Sequence, residues 1–94
     1  MMEGIDRFKA FILRTLVKKR KFGGAHTPLD KITNSLPDEL LHAKKRQRAI
    51  DEAVKELVNL SWVIVMKKRT GKGSDLHISI NPRKIREISE YLSR

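Results

Sequence analysis

The chain has 94 residues, enough for one domain built around a single modest hydrophobic core. It carries 21 Lys and Arg against 11 Asp and Glu, a formal net charge of +10, which predicts a polyanionic partner. It has no cysteine, which excludes disulfides and thiolate zinc sites, and its three histidines have no close paired spacing. We therefore expect no enzyme active site, no cofactor, no metal centre and no small-molecule substrate.

The N-terminal segment is charged rather than apolar, and no apolar stretch approaches the roughly 18 residues that a membrane-spanning helix needs. We therefore expect a cytoplasmic protein without a membrane partner. Charged residues make up 34% of the chain. This bias is typical of heat-adapted proteins and favours a thermophilic source.

A first helix is predicted from Ile5 to Leu16, where apolar residues recur with a helical period. Gly23 and Gly24 are predicted to stop this helix. The four cations at residues 18–21 favour the negative end of the helix dipole, and they could equally contact phosphate. The sequence leaves both explanations open.

A second helix is predicted from about Pro28 to Ser35. Thr27 is a good N-cap residue, Pro28 suits the first helical position, and Asp30 can bond back as in a capping box. Pro37 is predicted to interrupt this helix, and a turn follows.

A third helix is predicted from about Ala43, because apolar residues up to Val58 recur at helical spacing. Its opposite side is basic in the N-terminal half and mixed in the C-terminal half. Arg46 is predicted to project toward the core side, with its charged end reaching solvent.

Two strands are predicted at residues 61–68 and 76–80, joined as a hairpin. Their connection, KKRTGKGSD at residues 67–75, lacks the spacing and the following helix of a phosphate-binding P-loop, so its glycines are predicted to serve a turn. Asn81 caps a last helix predicted from Pro82 to Leu92. His26 and His77 are predicted to be turn and strand-surface residues.

Three helices followed by a hairpin with a basic, glycine-bearing tip resemble the winged helix-turn-helix family, in its small stand-alone, archaeal-like type. The segments that carry the resemblance are TPLDKITNSL, AKKRQRAIDEAVKELVNLSWVIV and KKRTGKGSD. The resemblance covers residues 5–80 and implies an α+β fold of three helices and a two-stranded β-hairpin wing. A C-terminal helix at 82–93 is an added element, and we expect one domain over residues 1–94. The segment PDELLHA makes the turn between the second and third helices longer than in the family.

The resemblance implies a non-enzymatic protein that binds double-stranded DNA, a transcriptional regulator with its third helix in the major groove and its wing on the backbone. The residues that it implies as DNA contacts are Lys44, Lys45, Gln47, Arg48 and Lys55 in the helix, and Lys67, Lys68, Arg69 and Lys72 in the wing. Three alternatives stay open: a protein-protein scaffold, an RNA- or ribosome-binding module, and a helix face that is merely solvated.

A homodimer is also expected, because the first and last helices carry more apolar residues than one small core requires. These residues are Ile5, Phe8, Phe11, Ile12, Leu13, Leu16 and Val17 in the first helix and Ile85, Ile88, Tyr91 and Leu92 in the last. The alternative is that the last helix packs across the first within one chain and completes a monomeric core.

Overall fold

The computed structural model describes residues 4–35, 43–70 and 73–93. Within these ranges the chain forms an α+β fold of four α-helices and a three-stranded antiparallel sheet. In chain order the elements are α1 (Gly4–Lys18), β1 (Thr27–Pro28), α2 (Leu29–Thr33), α3 (Ala43–Asn59), β2 (Val63–Thr70), β3 (Gly73–Ile80) and α4 (Ile85–Leu92). No helix in the described ranges is long and apolar enough to cross a membrane.

The sheet has three strands where the sequence predicted two. Its order is β1-β3-β2, because Thr27 and Pro28 pair with Ile78 and His77 of β3. Thr27 is therefore a buried strand residue and not an N-cap, and α2 begins one residue after Pro28 without a side-chain capping bond. Pairing with the open edge of β3 outweighs the single hydrogen bond that a threonine cap supplies.

One hydrophobic core lies between the helices and the sheet. The C-terminal end of the middle strand β3 is buried on both faces, since Ile78, Ser79 and Ile80 have no exposed surface, whereas Leu76 is 44% exposed. Ser79 is satisfied there because its hydroxyl donates a hydrogen bond of 2.7 Å to the carbonyl oxygen of Gly23. The remaining fully or nearly fully buried apolar residues are Phe8, Ala10, Ile12, Leu13, Leu16, Ile32, Ile50, Ala53, Leu57, Val63 and Ile88.

The sequence predicted that Gly23 and Gly24 stop α1, but the helix already ends at Lys18. Arg20 takes a left-handed φ of 56°, and the N–H of Lys21 donates to the carbonyl oxygen of Leu16 at 2.9 Å. This is the hydrogen-bonding pattern of a Schellman helix end, formed here by an arginine instead of a glycine. Gly23 has a different role, because its N–H donates to a carbonyl oxygen of β3.

The last helix starts as predicted with a cap at Asn81, whose side chain accepts a hydrogen bond of 3.0 Å from the N–H of Arg83. Pro82–Lys84 form a short 3₁₀ turn, and the α-helical part, α4, follows. α4 packs on α1 within the same chain, with Ile88 buried and Ile85 left 47% exposed.

A polar cluster on Lys9 ties α1 to α3 and α4. The Lys9 ammonium lies 2.9 Å from Glu56 Oε1 and 3.1 Å from Asp6 Oδ1. The hydroxyl of Tyr91 donates to the backbone and side-chain oxygens of Asp6, both at 3.3 Å, and its ring packs edge to face on Trp62. The Lys9 side chain is only 12% exposed, so its two carboxylate partners offset the cost of its burial.

The same contacts shift the pKa values of Asp6 and Lys9. The hydrogen bond and charge of Lys9 hold the pKa of Asp6 below its ordinary value, against a smaller opposing effect of burial. Burial acts to lower the pKa of Lys9, but the hydrogen bonds to Glu56 and Asp6 outweigh it and raise that pKa above its ordinary value. The Lys9–Asp6 ion pair therefore stabilises the fold at pH values where Asp6 is ionised and Lys9 is protonated.

Replacing the Asp6 carboxylate should change how stability depends on pH. Because the folded pKa of Asp6 is lowered, its contribution is present above the unfolded value of 3.8 and is lost as pH falls through the folded value. We expect Asp6→Asn to lower the free energy of unfolding at pH 7 by less than about 1 kcal/mol, since the carboxylate is 40% exposed, and this difference from the wild type to disappear as pH falls through the lowered pKa of Asp6. Urea unfolding across this pH range measures both.

Lys9→Met provides the control for this prediction. In a Lys9→Met background the carboxylate has lost its cationic partner and keeps only the hydrogen bond from Tyr91, so Asp6→Asn should reduce stability at pH 7 by less than it does in the wild type. An unchanged effect of Asp6→Asn in that background would show that Lys9 is not the cause.

Candidate nucleic-acid interface

α3 is oriented by the residues that it buries. Ile50, Ala53 and Leu57 lie in the core with 4% exposure or less, so the other side of the helix faces solvent. The exposed residues include four of the predicted contacts, namely Lys45, Gln47, Arg48 and Lys55. The predicted core side is therefore confirmed at Ile50, Ala53 and Leu57, whereas Val58, which was predicted to belong to it, is 42% exposed.

Charge is distributed unevenly along α3. Its first half, residues 43–50, has four cations and no carboxylate, whereas Asp51, Glu52 and Glu56 all lie in the second half. The positive end of the helix dipole coincides with the basic half and adds to its attraction for anions. Lys55 lies among the three acidic residues, so the positive potential of α3 is concentrated toward its N-terminal end.

Gln47 already has a partner on its own helix. Its Nε2 donates a hydrogen bond of 2.9 Å to Asp51 Oδ1, one turn further along. Reading adenine in the major groove uses both the donor and the acceptor of a glutamine amide. The bond to Asp51 uses one of the two Nε2 hydrogens, so the second hydrogen and Oε1 of Gln47 are not engaged by it.

Arg46 connects α3 to α2. Its Nη2 donates a hydrogen bond of 3.0 Å to the carbonyl oxygen of Thr33, the last residue of α2, and its side chain is half-buried. This agrees with its predicted projection toward the core side. A carbonyl at a helix C-terminus has no intrahelical donor, so Arg46 satisfies one such group and fixes the spacing of the two helices.

The β2–β3 hairpin extends further than the sequence predicted. Pairing continues from Val63 opposite Ile80 to Thr70 opposite Gly73, so only residues 71 and 72 connect the strands. The cations at residues 67–69 therefore belong to β2 and not to a loop. Lys67 is exposed, and its partner across the strands is Leu76.

Four predicted contacts fall partly or wholly outside the described part of the structure. Lys44 lies in α3, and Lys68 and Arg69 lie in β2, by their backbones alone. Lys72 lies outside the described residues altogether.

A second basic segment follows α1. Lys18, Lys19 and Arg20 are exposed, and the carbonyl oxygen of Lys21 accepts a hydrogen bond of 2.8 Å from the N–H of Ile80. This bond anchors the segment beside the end of β3. Its exposure is compatible with a phosphate contact and with a solvated helix end, the two explanations that the sequence left open.

One arrangement was missed by the sequence analysis. His26 and His77 meet with their Nδ1 atoms 2.9 Å apart, although 51 residues separate them in the chain. Pairing of β1 with β3 brings the two rings together. A short spacing is the sequence signal for a histidine pair, and this pair has none.

Comparison with known proteins gives no match, whether the chain is compared with protein-family models, with curated proteins or with solved structures. The resemblance to winged helix-turn-helix proteins therefore remains a prediction made from the sequence pattern.

Proposed function

We propose that this protein is a non-enzymatic, double-stranded DNA-binding protein of winged-helix type that acts as a transcriptional regulator. In the proposed complex α3 lies in the major groove and the β2–β3 hairpin runs along the backbone. The observation that carries the proposal is the exposed basic half of α3, which the buried face of the same helix holds outward.

The dimensions and charge of α3 suit this role. A helix of 17 residues is about 25 Å long, and an α-helix fits the B-DNA major groove of about 12 Å width. Phosphate contacts supply most of the affinity in such a complex, and base contacts supply the preference among sequences. We assign base contacts to Gln47 and Arg48, and phosphate contacts to the lysines of α3 and the cations of the hairpin.

The aromatic residues favour a duplex over a single strand. Proteins that bind single strands without sequence preference stack bases on exposed aromatic rings. Here Phe8 is buried, and the other four aromatic residues, Phe11, Phe22, Trp62 and Tyr91, are partly buried against the core. No aromatic ring is thus presented as a stacking platform.

Two kinds of substitution should separate the roles of the helix and the hairpin. We expect Arg48→Ala and Gln47→Ala to change the preference among duplex sequences, by about 1 to 3 kcal/mol at the contacted base pair. Arg69→Ala and Lys72→Ala should weaken binding to all duplexes about equally, because backbone contacts carry no sequence information. Selection of preferred sites from a random duplex pool, followed by gel-shift titration, measures both effects.

Arg86→Ala is the matched control, since it removes one exposed arginine from α4. Affinity for duplex DNA should fall less with this change than with Arg48→Ala. Equal losses from the two arginine variants would show that net charge, not the α3 surface, determines binding. Tighter binding to duplex RNA or to single strands in the same assay would contradict the proposed ligand.

Less apolar surface is available for the proposed homodimer than the sequence predicted. Most of the apolar residues of α1 are buried in their own chain, where α4 packs across them. What remains is an apolar groove of about 280 Å³ whose lining includes Val17 and Ile85, which are 41% and 47% exposed. We propose that two chains pair through this groove, so that two copies of α3 can read adjacent half-sites.

Sedimentation velocity at micromolar concentration tests the pairing. We expect a two-chain mass for the wild type and a one-chain mass for Ile85→Glu, with unchanged circular dichroism because Ile85 is already exposed. Leu60→Glu is the control, because Leu60 is 46% exposed and does not line the groove. A one-chain mass for the wild type would contradict the dimer.

A further inference from the structure

The histidine pair joins two parts of the sheet. His26 immediately precedes β1, and His77 lies within β3 opposite Pro28. The two rings are half-buried, lie edge to face with centroids 4.8 Å apart, and direct one Nδ1 at the other at 2.9 Å. In this contact one Nδ1 carries a hydrogen and donates it to the lone pair of the other.

We propose that His26 and His77 form a copper(II)-binding site in which both Nδ1 atoms act as ligands. The hydrogen on the donor Nδ1 is lost to solvent and Nε2 of the same ring takes one up, so that both imidazoles bind the metal as neutral Nε2–H tautomers. This inference does not depend on DNA binding. The sequence predicted no metal site, because the histidines are far apart along the chain.

The separation of the two nitrogens indicates the coordination geometry. Two nitrogen ligands at about 2.05 Å from a metal ion are about 2.9 Å apart when they subtend about 90°, and about 3.3 Å apart at a tetrahedral angle. The observed 2.9 Å matches neighbouring positions of a tetragonal centre. The rings need to turn so that both lone pairs point at one metal ion, but the strands need not move apart.

The chemistry of the donors selects copper. Imidazole binds late transition metals and not magnesium or calcium, and copper(II) forms the most stable complexes of the divalent first-row series. Tetragonal nitrogen and oxygen coordination is also characteristic of copper(II) and nickel(II). We therefore expect copper(II) to bind more tightly than nickel(II), and nickel(II) more tightly than zinc(II), which prefers tetrahedral ligands.

One further potential ligand, Met66, lies beside the histidine pair. Met66 lies directly across from His77 in the β2–β3 pair and is 41% exposed, so its thioether belongs to the same sheet face. Within the described ranges no group of three or more His, Cys, Asp and Glu side chains could hold a metal ion. Within the part of the chain that the structure describes, the proposed site thus has two imidazole nitrogens as its ligands, and we expect so small a ligand set to let the copper exchange readily.

Titration of the full chain with copper(II), followed by calorimetry and electron paramagnetic resonance, tests the proposal. We expect one copper per chain, with hyperfine structure from two nitrogens, and affinity reduced at least about tenfold in His26→Gln and in His77→Gln. His42→Gln is the matched control, because it removes the third histidine by the same change, and it should bind as the wild type does. Copper held by the N-terminal amine would be indifferent to all three changes, and that result would overturn the proposal.

A measurement on the unaltered protein decides the question even if a variant fails to fold. Substoichiometric copper(II) should broaden the imidazole NMR signals of His26 and His77 and leave those of His42 sharp. Broadening of His42 alone, or of no histidine, would show that the pair is only a hydrogen-bonded clamp between β1 and β3.

Discussion

The C-terminal end of strand β3, residues 78–80, is buried on both faces, and this burial constrains the rest of the fold. β2 pairs with one edge of β3, while β1 and the bridge at Phe22 occupy the other. A shift of β3 by one residue would exchange its two faces, which would turn Ile78 and Ile80 away from their apolar neighbours and break the hydrogen bond from Ser79 to Gly23. The register is therefore fixed, and it places both the β2–β3 hairpin and the histidine pair.

The same core orients the proposed DNA-binding surface. α3 buries one side against α1, so Lys45, Arg48 and Lys55 lie on its exposed side, whereas Arg46 turns toward α2. Two polar contacts then fix the helix within its surroundings, from Arg46 to the end of α2 and from Glu56 to Lys9 of α1. Neither contact uses the outer face, which leaves that face available to a ligand.

The parts of the fold that follow a long hydrophobic period could be predicted from the sequence. α1, α3 and the hairpin have such periods, and the chain is helical from Ala43, the first described residue of that segment, through Asn59. β1 has only two residues, and the helix-start chemistry of Thr27 and Pro28 concealed it. The histidine pair depends on this missed strand, so no local pattern could reveal it. For the candidate site, helical periodicity predicted the exposed face of α3. It could not predict the hydrogen bond from Gln47 to Asp51, because that bond depends on which rotamers the two side chains adopt.

The salt dependence of binding to a duplex tests the central claim most directly. If six to eight cations of α3 and the hairpin contact phosphates, the logarithm of the binding constant should fall with the logarithm of salt concentration at a slope of roughly −5 to −7. Arg69→Ala should reduce the magnitude of that slope by about 1, since it removes one phosphate contact. A slope near zero, with binding unaffected by the loss of Arg69, would contradict the account.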